Sequence, residues 1–78
     1  MSDLEELIQK VRSRAALPDP VTRRAIREAA GVTRQEVAEV VGVTRQAIAY
    51  WETGDRSPGP GHRERYAEVL RRLALVPA

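Results

Sequence analysis

Residues 34–41 and 45–53 read as two helices, each about two turns long, separated only by Gly42, Val43 and Thr44. Helices this short are not stable alone and must pack on something, so the three-residue turn between them dictates what the chain can become. Gly42 admits the left-handed conformation that a sharp turn requires. Thr33 opens the first helix through a capping box with Glu36. Thr44 caps the second and Gly54 ends it. Val37, Ala38 and Val41 are the apolar positions of the first; Ala47, Ile48 and Trp51 are those of the second. Ala38 is small where two helices must cross closely, and Val43, Ile48 and Trp51 fill the wedge between them. That is the mechanical requirement of a helix-turn-helix.

The flanking segments follow the same period. Residues 3–16 carry one apolar stripe, Leu4, Leu7, Ile8, Val11 and Ala15, with Ser2 and Glu5 as a capping box. This stripe is expected to pack on the domain core. Pro18-Asp19-Pro20 then stops the helix and makes a stiff linker, which divides the chain into an N-terminal helix and linker, 1–20, and a domain, 21–78. Another helix is expected over 22–30, with Ile26, Ala29 and Ala30 inward and Val21 or Ala25 helping. After a turn-rich loop, 55–61, the last helix is expected over 61–75, with Tyr66, Val69, Leu70, Leu73 and Ala74 on its inner side and Pro77 terminating it. The segment Gly-Val-Thr-Arg-Gln occurs at 31–35 and again at 42–46 because both copies end one helix and cap the next. No strand-period alternation is visible, so the expected fold is all-α with five helices.

Composition narrows the function. Without cysteine there is no disulfide framework or thiolate zinc site, and the single histidine, His62, cannot form a metal cluster. No cofactor is expected. No apolar run approaches the roughly 20 residues that span a bilayer, and the acidic, amphipathic start is no signal peptide. A soluble cytoplasmic protein is expected. Net charge is only +2 and argues little, but its distribution is uneven: residues 1–20 sum to −1 and residues 21–78 to +3. No nucleophile–base pair, carboxylate dyad or phosphate-binding glycine loop appears, so an enzyme is not expected.

The pattern Ile26-Arg27-Glu28-Ala29-Ala30-Gly31-Val32-Thr33, then Val37-Ala38-Glu39-Val40-Val41-Gly42-Val43-Thr44, Ile48 and Trp51-Glu52-Thr53-Gly54-Asp55-Arg56-Ser57-Pro58, resembles the Xre/Cro/phage-repressor helix-turn-helix family over roughly residues 22–75. The resemblance implies a lambda-repressor-like domain, here with an extra N-terminal helix, in a bacterial or phage-encoded, nucleoid-associated protein. It implies an ion pair between Arg27 and Glu52. It also implies homodimers on palindromic double-stranded DNA operators, with phosphate contacts from the start of helix 34–41. There Arg34 stands where the family often has Gln, with Gln35 next.

Helix 45–53 turns Arg45, Gln46, Ala49 and Tyr50 outward, none of them acidic. Carboxylates are unwelcome on a face surrounded by phosphate. Arg can pair bidentately with guanine, Gln with adenine, and Ala49 can meet a thymine methyl; these four are the expected base readers. Thr33, Arg34, Gln35, Thr44 and Arg56 are the expected phosphate contacts. Trp51 and Tyr66 are read as core. The expected function is therefore sequence-specific regulation of transcription, as a repressor. The alternative is an antitoxin or adaptor that binds a partner protein through helix 3–16, with DNA binding secondary.

Overall fold

The structure, a computed structural model, describes residues 3–8 and 17–77. Among these residues there are five helices and no strand: α1 over 3–8, α2 Pro20–Ala29, α3 Arg34–Val41, α4 Arg45–Thr53 and α5 Pro60–Leu73. The expected all-α fold is the one observed. Ser2 and residues 9–16 of the expected first helix lie outside the described residues. The described part of the apolar stripe does not pack on the core as expected: Leu4 is 63 % and Leu7 57 % exposed.

The local signals of α3 and α4 act as their chemistry dictates. The Thr33 hydroxyl accepts from the Glu36 N–H at 3.1 Å, and the Glu36 carboxylate accepts from the Thr33 N–H at 2.9 Å. The backbone bond from Thr33 holds the Glu36 carboxyl below its ordinary range. Thr44 accepts from the Ala47 N–H at 3.1 Å. Between the helices Gly42 adopts φ 88°, and the N–H groups of Gly42 and Val43 both return to the Ala38 carbonyl, at 2.8 and 3.0 Å. The turn thereby satisfies carbonyl capacity that a helix end otherwise leaves open.

α2 departs from expectation at its start and on its inner face. Pro20 does not merely stop a preceding helix; it begins this one. Asp19 is the N-cap, accepting from the Thr22 N–H at 2.8 Å, and Pro20 occupies a first-turn position where its missing N–H costs nothing. Ala29, Ala25 and Val21 are exposed, not inward, and Ile26 and Ala30 are only partly buried. The buried residues of α2 are Arg23 and Arg27. α5 ends at Leu73, ahead of Pro77, with Ala74 as an exposed C-cap. Ala67 takes the buried place expected of Ala74.

The core joins the helices at one point. Ala38 and Ile48 are fully buried, with Val37, Val41, Trp51, Tyr66, Ala67 and Leu70 around them. Leu17, just ahead of α2, is buried in the same cluster. The rings of Trp51 and Tyr66 lie 4.9 Å apart, tilted by 49°, an arrangement that favours aromatic pairs. Burial pushes the Tyr66 phenol up to about 12.

Gly42 and Gly54 both have positive φ, 88° and 85°. A side chain at either meets the left-handed penalty of about 1–2 kcal/mol. At Gly42 an added Cβ touches nothing, whereas at Gly54 it comes 3.3 Å from Pro20 Cγ. Gly54→Ala will therefore destabilise more than Gly42→Ala in urea denaturation, because α2 and the end of α4 must also separate. Equal losses would mean that Pro20 yields freely.

Candidate nucleic-acid interface

α4 has two chemically opposed faces. Ile48, Trp51 and Glu52 are buried. Arg45 and Gln46 are exposed at its N-terminal end, and Ala49 and Tyr50 are half-buried beside them. The outward face is free of carboxylates along 45–50, since Glu52, the acid of this helix, points inward. Asp55 lies beyond the C-terminal end, accepting from the Thr53 hydroxyl at 3.0 Å.

Buried arginines hold this helix in place. Arg27 donates to Glu52 twice, Nε to Oε2 at 2.6 Å and Nη2 to Oε1 at 3.0 Å, and its Nη1 donates to the Val32 carbonyl at 2.9 Å. The hydrogen bond to Glu52, opposed by burial, raises the Arg27 guanidinium above its ordinary value. Glu52 thus ties α4 to α2 with a fork-on-fork pair. Arg34, at the start of α3, donates its Nε to the same Oε1 at 3.0 Å. It stands at the edge of the ion pair rather than wholly in solvent.

Arg23 was not singled out by the sequence. Its Nε donates to the Pro18 carbonyl at 2.6 Å and its Nη1 to the Trp51 carbonyl at 3.0 Å. Trp51 lies in the last turn of α4, where carbonyls lack helical partners, so Arg23 caps the candidate recognition helix from α2. The available signal was the i, i+4 spacing of Arg23 and Arg27, which places two cations on one helical face.

The remaining expected phosphate contacts lie on exposed ground. Thr33 and Thr44 are exposed, each with its oxygen accepting a cap bond. Gln35 turns along α3, its amide donating to Glu39 at 3.2 Å. Arg56 is exposed and stacks over the Tyr50 ring, Cζ 4.6 Å from the centroid. Thr44, Gln46, Tyr50, Arg56 and Ser57 rim a hollow of about 350 Å³ beside α4. Elsewhere Arg71 and Arg72 pair with Glu68 on the exposed side of α5. Among the described residues no cluster of potential metal ligands and no membrane-spanning helix is found.

The arrangement offers an arginine and an amide at a helix end that can enter a groove, flanked by hydroxyls and a second arginine suited to phosphate. Comparison with protein-family models matches the family described as Helix-turn-helix, HTH_3, over residues 24–74. No match is found among curated proteins or among solved structures.

Proposed function

This chain belongs to the Xre/Cro/phage-repressor-type helix-turn-helix family of DNA-binding regulators, and we propose that it is a sequence-specific transcriptional repressor that places α4 in the major groove of double-stranded DNA. The observation that carries this reading is the acid-free outward face of a helix whose inward face is fixed by Ile48, Trp51 and the Arg27–Glu52 pair. Arg45, Gln46, Ala49 and Tyr50 are proposed to face the bases. Thr33, Arg34, Gln35, Thr44 and Arg56 are proposed to contact phosphates. Arg34 keeps its terminal nitrogens for that contact while Nε stays on Glu52. A homodimer on a palindromic operator, with half-sites about one helical turn apart, is the proposed assembly.

Selection of bound duplexes from a random pool tests this reading. One enriched sequence with two related half-sites is expected; a pool unchanged at low salt refutes it. Arg45→Ala is then expected to relax preference at one base position per half-site by about 1–3 kcal/mol. Its melting temperature should match that of wild type, since Arg45 is exposed.

A second reading rests on α1. The exposure of Leu4 and Leu7 favours a partner protein on this helix, as an antitoxin or adaptor would have. Capture of one stoichiometric partner that is lost with Leu4→Asp and Leu7→Asp supports it.

A further inference from the structure

We propose that Tyr50 is a positioning residue for Arg56: its ring holds the guanidinium beside the hollow next to α4, so that the cation meets a DNA phosphate. This rests on the DNA-binding reading above and changes the part Tyr50 plays in it, from reading a base to holding a cation.

Two independent tethers join these residues. The Arg56 N–H donates to the Tyr50 carbonyl at 3.4 Å, and the Arg56 side chain covers the ring of the same residue with Cζ 4.6 Å from its centroid. Gly54, at φ 85°, turns the chain back so that both are possible. Beyond Arg56, the buried Pro58 fixes the other end of the loop. The contact holds the charged centre of the guanidinium over the ring, and its five N–H donors fan out in one plane. The contact therefore orders the side chain, and the donors turned away from the ring are left for an anion. Among the described residues Arg24, Arg27, Arg34, Arg71 and Arg72 each pair with a carboxylate, whereas Arg56, like Arg23, Arg45, Arg63 and Arg65, does not. The hollow it overlooks is rimmed by the Thr44 and Ser57 hydroxyls and the Gln46 amide, with no acid among its lining residues. That is a donor-rich, acid-free setting, the chemistry that receives phosphate. The guanidinium also covers one face of the ring, which a base or sugar would otherwise stack on.

The experiment uses the full chain with its selected duplex and with a scrambled one, and titrates both across salt concentrations. Tyr50→Leu should weaken binding about two- to five-fold on both duplexes alike. Arg56→Ala should weaken both and flatten the log–log salt slope by about one. Tyr50→Leu should add nothing in the Arg56→Ala background, and Tyr50→Phe, which keeps the ring, should recover what Tyr50→Leu loses. A change in selected sequence with Tyr50→Phe makes Tyr50 a base reader and overturns the proposal, as do additive losses in the double variant. Ring-current shifts of the Arg56 side-chain protons report the stack without DNA. Their absence from the wild-type spectrum overturns the clamp itself. Their presence in a protein that binds no duplex defeats the DNA reading instead, and with it the proposed task of the clamp.

Discussion

Glu52→Ala is expected to destabilise the domain by about 3–5 kcal/mol, a large share of the roughly 5–15 kcal/mol that holds a small domain folded. The Glu52 side chain is 1 % exposed and accepts three hydrogen bonds from two arginines. Arg27 is the costly survivor. Its side chain is 10 % exposed, and without Glu52 only the bond from Nη1 to the Val32 carbonyl remains. A cation so enclosed has little water to replace the carboxylate. Arg34→Ala should cost far less, because Arg34 is more exposed and contributes one bond. Urea denaturation of both variants checks the order. A Glu52→Ala midpoint close to wild type would falsify the claim that this pair fastens α4 to α2. Loss of stability should carry loss of DNA binding, since the pair joins the candidate recognition helix to the rest of the domain.

What the sequence made legible was local. Thr33, Thr44, Gly42 and Gly54 act on backbone groups within a few residues of themselves, so their types and spacing state their tasks. The core of α3 and α4 was equally readable, because small and branched residues at helical spacing have one consistent inner face. Asp19 and Pro20 were misread because a proline that ends one helix and a proline that begins the next look alike until the cap beside it is identified. The inner face of α2 was misread for a different reason. Arg23 and Arg27 are buried by partners 28 and 25 residues away, the Trp51 carbonyl and the Glu52 carboxylate, and a hydrophobic pattern assigns charged residues to solvent. For Arg27 the family resemblance supplied the partner that periodicity could not. Nothing supplied one for Arg23. Arg34 shows the same limit within the candidate site. Its position suggested an outward cation, and only the packing of α3 against α4 brings it to Glu52. The stack of Arg56 on Tyr50 likewise depends on the turn at Gly54 bringing the loop back over the helix.

Trp51→Ala is expected to lower stability by about 3–5 kcal/mol, the range for truncating a large buried aromatic. Trp51 is 5 % exposed, and its ring meets Tyr66 of α5 at 4.9 Å. Truncation opens a void between α4 and α5 that Ile48 and Leu70, already buried against it, cannot fill without moving. Its carbonyl also accepts from Arg23, so collapse around the void would disturb the cap of α4. Trp51→Phe keeps part of the ring and should lose much less. The contrast with Tyr50 makes the result diagnostic, because these adjacent residues point about 100° apart on one helix, Trp51 into the core and Tyr50 at its half-buried edge. Position 51 should govern the melting temperature, and position 50 the affinity for DNA, at a smaller loss of melting temperature because Tyr50 only borders the core. Trp51 is also the one tryptophan of the chain, so its emission reports unfolding directly and should change little when duplex is added to the folded wild type. Strong quenching by DNA, together with a Trp51→Ala variant that melts like wild type, would move Trp51 from the core to the nucleic-acid surface and reverse the facing assigned to α4.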